Sequence, residues 1–162
     1  MIDLIQRTGE CLQTVLTGET NLLGLLFPGG SLDVLASIYR DNSTQYLSNV
    51  TLACLKQIVR TIPKTVNLRV LEIGGGTGTY TRALLPAFSP EQTSYVFTDI
   101  GALFVKQAQQ RFSDYQFVEY RVLDIEKTPE SQGLNLASFD IIIAGNVLHA
   151  TRDLTTTLTH VQ

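Results

Sequence analysis

The sequence predicts an α/β fold, with a core of parallel strands behind an N-terminal helical cover. Three observations carry this expectation. Residues 68–79, LRVLEIGGGTGT, join a short apolar run to three consecutive glycines and then to a helix-forming segment. A buried parallel strand that turns tightly into a helix is written this way. Three more runs of strand character follow at 93–100, 117–123 and 139–144, separated by helical or polar stretches long enough for crossovers. Residues 1–65, by contrast, show only helical spacing.

Length and composition bound what such a chain does. Its 162 residues suit one domain with one core. Charged residues make up only 17%, below the roughly 25% usual for soluble domains, so part of the surface is expected to be covered by other protein. A net charge of -3 and the lack of any Lys or Arg run argue against a nucleic-acid partner. The start, MIDLIQRTGE, has no basic stretch ahead of an apolar one, and no segment reaches the ~18 apolar residues of a membrane span. A cytoplasmic protein with no membrane partner is expected. Cys11 and Cys54 lie 43 positions apart with no CxxC, and there are two histidines, so neither a metal site nor a disulfide is expected. Both cysteines read as small buried hydrophobes in a reducing compartment.

Taken in order, residues 2–16 carry Ile2, Ile5, Leu12 and Leu16 at helical spacing, and Gly18 closes that helix. Residues 21–30 read as an apolar loop ending in Pro-Gly-Gly, after which Ser31 caps a helix through residue 39. Residues 41–44 read as a loop. A third helix, 48–62, shows Leu55, Ile58, Val59 and Ile62 on one face and is ended by Pro63. These elements give a cover over residues 1–65 and a core over 66–162. In the core, the helix after the glycines should stop at Pro86, and the strand at 93–100 leads into a helix at 102–112. The strand at 117–123 is followed by a polar loop at 128–135. Residues 139–144, FDIIIA, are nearly all apolar and are expected to form a central strand. A last helix starts near Asp153, with Leu154, Leu158 and Val161 facing inward.

The candidate site residues lie at the C-terminal ends of these strands, where α/β sheets place ligands. Gly74, Gly76 and Gly78 are spaced Gly-x-Gly-x-Gly, and Thr79 stands where the dinucleotide fingerprint Gly-x-Gly-x-x-Gly wants its third glycine. Glu72 beside the loop would repel a pyrophosphate but suits a cationic ligand such as S-adenosylmethionine (SAM). A glycine turn of this kind also occurs as a plain strand-to-helix connection. Asp99 ends the second strand 21 residues beyond Gly78, with Ile100 next to it. A carboxylate there holds a ribose hydroxyl pair or, alternatively, caps the following helix. Asp124 and Ile125 end the third strand, where an acid accepts from an adenine amino group and an isoleucine packs on the ring; a solvated loop aspartate is the plain alternative. Gly145, Asn146 and His149 follow the fourth strand. A lone histidine outside a strand end is also a common surface or capping residue, and His160 receives no role.

The local wording resembles one family closely. LLFPGGS at 25–31, VLEIGGGTG at 70–78, YVFTDI at 95–100, VLDIEKTPESQG at 122–133 and NVLHATRDL at 146–154 are similar to the C-methyltransferase domain embedded in modular polyketide synthases, a class I SAM-dependent methyltransferase with a Rossmann-like fold. The likeness runs over nearly the whole chain. It implies SAM over Gly74, Gly76 and Gly78 with Glu72 beside them, its ribose on Asp99 next to Ile100, and its adenine near Asp124 and Ile125. It also implies Asn146 among the cofactor contacts and His149 as the base. That base would remove a proton from the α-carbon of a β-ketoacyl thioester on an acyl carrier protein, the carbanion then taking the methyl group in an in-line displacement. Neighbouring synthase domains are the other implied partners, and no metal is implied.

In that family the sheet continues, and a glutamate on the next strand orients the histidine. Only thirteen residues follow His149 in this chain of 162, so a core truncated after its fourth strand is expected. Three competing readings remain open: an inactive or structural SAM-fold fragment within a megasynthase, methyl transfer to nitrogen or oxygen, and an NAD dehydrogenase. Thr79 and Glu72 disfavour the last.

Overall fold

The computed structural model describes residues 2–26, 44–63 and 65–162. They form two compact units, Met1–Asn49 and Val50–Gln162. In the first, α1 (Ile2–Glu10) and α2 (Leu12–Leu16) meet at Cys11, so the expected single helix is broken there, and Gly18 at φ 79 ends α2 in the left-handed conformation. Part of the expected loop at 21–30 is instead helix α3, Leu22–Leu26. Ile5, Leu12 and Leu16 are all exposed. The helix expected at 31–39 and most of the loop at 41–44 lie outside the described residues.

The larger part of helix α4, Thr44–Thr61, belongs to the second unit. The physical reason is the helix's apolar stripe. Leu52 is buried in the core of the second unit and Leu55, Val59 and Ile62 pack against that core, a 3-4-3 spacing that keeps all four on one side. Ile58, expected on that face, is 52% exposed, and Leu52 takes its place.

The second unit is a parallel sheet in the order β3-β2-β1-β4, built from β1 (Leu68–Ile73), β2 (Thr93–Asp99), β3 (Val118–Val122) and β4 (Ile141–Ala144). All three pairings are parallel, with Val70 opposite both Tyr95 and Ile141. Strand alternation splits the core in two. Val70, Tyr95, Phe97 and Ile143 face α4, α5 (Thr79–Leu84) and α6 (Ala102–Arg111), while Leu71, Ile73 and Val96 face Leu123, Leu134 and Val161 of α7 (Leu154–Val161). This arrangement follows from right-handed crossovers: the connections after β1 and β2 step the same way across the sheet, and the one after β3 steps back. The reversal makes β1–β4 the topological switch point.

β4 pairs with β1 and stands last in the described order, because the chain crosses back over β1 to place it. Three further expectations need correction. Pro86 does not stop a helix; it sits inside a 3₁₀ turn, Leu85–Ala87, that extends α5. On α7, Val161 packs inward as expected, but Leu154 and Leu158 are exposed and the buried residue is Thr157, whose hydroxyl donates to the carbonyl of Asp153 at 2.9 Å. Cys54 is exposed and Cys11 half-buried, so neither is a core residue.

At the N-terminal end of the sheet Arg69 clasps Asp140, with Nε and Nη2 at 3.1 and 2.9 Å and the Arg69 amide at 2.8 Å. These donors hold the Asp140 carboxyl at about 2, below its usual value of 3.8. A depressed carboxyl stabilises the fold above its unfolded value and loses that contribution as the pH falls through the folded one. The urea midpoint advantage of the wild type over Asp140→Asn should therefore persist from pH 7 to 4 and vanish by about pH 2. An advantage that is flat across this range would mean the clasp does not contribute through charge.

Candidate functional site

The turn after β1 is the centre of the site. Gly76 adopts φ 51, where a side chain is strained, and a Cβ there would meet nothing nearer than the Gly74 carbonyl oxygen at 3.9 Å. Its backbone is therefore bare on the outer side of the turn. Gly75 is close-packed instead: a Cβ would overlap the ring of Phe97. The turn is pinned to β2 by the Gly75 amide, which donates to the Thr98 carbonyl at 2.9 Å, and by the Gly76 amide, which donates to Asp99 Oδ2 at 2.9 Å.

Asp99 is 7% exposed at the end of β2. Its other oxygen accepts the Gly101 amide at 2.8 Å. The carboxylate thus braces the glycine turn and the entry to α6, yet the N-cap of α6 is Gly101, with no side-chain cap. Each oxygen keeps lone-pair capacity, since a carboxylate offers about four acceptor sites. Ile100 beside it is 68% exposed, an apolar surface at the same rim.

Glu72 lies elsewhere than expected. On the strand it shares the face of Val70, so it points into the core beneath the turn and is 2% exposed. Its Oε2 accepts the hydroxyls of Tyr95 at 2.6 Å and Thr81 at 2.7 Å, which ties β1 to β2 and to α5. Burial pushes its carboxyl up, against the lowering pull of those two donors, and burial together with the Glu72 charge pushes the Tyr95 hydroxyl well up, so that it stays a donor. A raised acid contributes stability at low pH that is lost as the pH rises through its folded value. The advantage of the wild type over Glu72→Gln should therefore shrink as the pH rises from 4 to 8, measured by thermal unfolding. An advantage that grows with pH would reverse the assignment.

At the end of β3, Asp124 is held within its own loop. Its carboxylate accepts the Glu126 amide at 3.1 Å and pairs with Lys127 at 3.1 Å, which holds it below the usual carboxylate range. Gln132 accepts the Asp124 amide at 2.9 Å and donates to its carbonyl at 2.8 Å, from a 3₁₀ turn (Pro129–Gln132) within the expected polar loop. The Ile125 side chain is 6% exposed and belongs to the core with Leu71, Ile73 and Val96, so it does not face an open ring site. After β4 the chain passes Gly145 and Asn146, the latter at φ 57, and turns through a 3₁₀ helix, Leu148–Ala150, that carries an exposed His149. This segment packs on the glycine turn, since a Cβ at Gly74 would overlap the Val147 side chain, two residues before His149.

The structure thus brings Gly74 and Gly76 into one turn braced by Asp99 from β2, with the His149 segment against it, and sets Asp124 after the next strand, β3. Gly78, at φ 73, is the N-cap of α5. Thr81, Tyr95 and Gln132 were not anticipated. Tyr95 lies two residues before Phe97 on the same strand face, so alternation alone would have put its hydroxyl in the core in need of a partner. Among the described residues no cluster of His, Cys, Asp or Glu is placed to hold a metal, and no helix is long and apolar enough to cross a membrane.

Comparison with known proteins agrees with this geometry. The family described as "Methyltransferase domain" matches residues 71–162. The highly reducing polyketide synthase pspA of Penicillium soppii is 43% identical over 158 residues, covering 94% of this chain and 6% of that protein. Among solved structures, the CurJ carbon methyltransferase superposes with a TM-score of 0.89 at 42% identity, over 98% of this chain and 43% of the other. The trans-methyltransferase CalH, solved in complex with SAH, gives 0.72 at 33% identity, over 99% of this chain and 44% of the other. The chain therefore spans a small part of the curated synthase it matches and under half of the solved methyltransferases. With a match over more than half its length, the parallel-sheet core and the glycine turn at its switch point, the chain belongs to the methyltransferase domain family.

Proposed function

We propose that this chain forms the core of a polyketide synthase carbon methyltransferase, which uses SAM to methylate the α-carbon of a β-ketoacyl thioester on an acyl carrier protein. The observation that carries this reading is the packing of the His149 segment on a bare glycine turn braced by Asp99, in a chain 42% identical to a carbon methyltransferase.

The residues fit SAM. Gly76 leaves the turn open to a ligand, Asp99 has acceptor capacity for a ribose hydroxyl pair, and Ile100 offers apolar surface for a flat ring. Asp124 stands at the next strand end for the adenine edge. Asn146, in its left-handed conformation, turns the chain at the end of β4. Glu72 contributes from beneath, holding the turn through β2 and α5. When bound, SAM supplies an electrophilic methyl group on a sulfonium. His149 takes the proton from the substrate α-carbon, which is acidic because two carbonyls flank it, and imidazole as a class titrates near neutral pH. With that proton on His149, the C–H electron pair would be free to take the methyl that SAM would supply, the sulfur–methyl bond breaking as the carbon–carbon bond forms and the thioether of the demethylated product leaving.

The carrier protein and neighbouring synthase domains are the proposed partners. This is supported by the small fraction of pspA that the chain spans and by exposed Leu16 and Leu136, at 78% and 68%. The test is calorimetric titration of the full-length protein with SAM, its demethylated product and NAD, followed by mass spectrometry of a β-ketoacyl carrier arm. SAM should bind and one methyl should appear on the α-carbon. Tighter binding of NAD, or a methyl on oxygen or nitrogen, overturns the reading. Asp99→Ala should weaken SAM by about 1 to 3 kcal/mol, by leaving its hydroxyls without a charged partner.

A further inference from the structure

Two contacts outside the cofactor turn join the segment after β4 to the loop after β3. The Arg152 amide donates to Glu126 Oε1 at 3.0 Å, while the Arg152 guanidinium lies 3.7 Å from Glu126 Oε2. Eight residues on, His160 Nδ1 lies 2.7 Å from the Ile125 carbonyl oxygen and donates to it. The receiving loop is itself stiff, tied by Gln132 and by the Asp124–Lys127 pair. The donating segment is held between these two points by Asp153, which caps α7 by accepting the Thr155 and Thr156 amides at 2.9 and 3.2 Å.

His149 lies just ahead of these points, on the 3₁₀ turn Leu148–Ala150. Behind it the 3₁₀ turn closes on itself, with the Thr151 hydroxyl donating to the Leu148 carbonyl at 2.7 Å, and the next fixed point is the Arg152 amide. Ahead of it, Val147 abuts Gly74. The main chain that carries the imidazole is thus held at the glycine turn on one side and at Glu126 on the other. We propose that Glu126 is a positioning residue for His149, acting by holding the Arg152 backbone N–H against the Asp124–Lys127 loop.

This inference rests on His149 being the base. The two parts of the contact are unequal. The guanidinium is 93% exposed, and a pair so open to water contributes little, whereas the amide-to-carboxylate bond fixes main chain three residues from the imidazole. A reacting group misplaced by about 1 Å can lose on the order of 10² in rate. Because the loop keeps its own braces, cofactor binding should be spared.

The experiment compares Glu126→Ala, Glu126→Gln, Arg152→Ala and His149→Ala in the full-length protein, measuring kcat and KM for methyl transfer, SAM affinity by calorimetry, and hydrogen exchange of the 149–153 amides. Glu126→Ala should lower kcat about 10-fold with SAM affinity within about twofold, and the Arg152 amide should lose protection. Glu126→Gln keeps an acceptor for that amide and should restore most of the rate and the protection. Arg152→Ala keeps the amide itself and should lose less than Glu126→Ala. The proposal is overturned if Glu126→Ala matches wild type while His149→Ala is inactive, if Gln fails to rescue, or if Arg152→Ala loses as much as Glu126→Ala. Full activity in His149→Ala would instead remove the base assignment.

Discussion

Replacing His149 with alanine is expected to slow α-carbon methylation by about 10² to 10⁴, equivalent to roughly 3 to 5 kcal/mol of barrier, the usual contribution of a general base. SAM affinity should stay near wild type, because Gly74, Gly76, Asp99 and Asp124 lie on other strand ends and the imidazole is exposed on its own short turn. The loss should therefore appear in kcat. Measured by mass spectrometry of the carrier arm, undiminished methylation in this variant would show that another group removes the proton. A large loss in SAM affinity would show that His149 binds cofactor instead.

How far the sequence led depends on which physical signal each residue carried. The strands, their parallel pairing and the turn at Gly74, Gly76 and Gly78 were legible because apolar runs ending in glycine leave few alternatives. Positive φ at all three glycines and the Asp99 bond to the Gly76 amide give the tight strand-to-helix turn that the spacing asks for. Glu72 was misread for a definite reason. Position along the chain placed it beside the loop, but strand alternation turned it inward, where the hydroxyls of Tyr95 and Thr81 make an acid tolerable. Ile125 was misread in the same way. It follows an acid at a strand end, yet its side chain fills the core between sheet and α7 while its carbonyl faces His160. The pairing of β4 with β1 was not legible, because composition reports burial of side chains, whereas order in a sheet is set by crossover direction. Ties across long sequence separations, such as Glu126 to Arg152, leave no periodic trace at all.

The second large effect is expected at Phe97, which links the core to the glycine turn. Its ring is fully buried on β2, lies 6.0 Å from the Tyr120 ring and forms the surface on which Gly75 rests. Phe97→Ala should destabilise the fold by about 3 to 5 kcal/mol, the transfer loss of a phenyl ring plus the cavity it leaves. Gly75→Ala should destabilise for the opposite reason, by about 1 to 3 kcal/mol, because its methyl must push into that ring. The two changes occupy the same space. In the Phe97→Ala background the added methyl has somewhere to go, so the double variant should be more stable than the sum of the two losses implies, with an interaction of about 0.5 to 3 kcal/mol. Urea unfolding of the four proteins measures this. Strict additivity would mean that Gly75 does not rest on the ring, and the account of the turn as a loop seated directly on the core would then have to be given up.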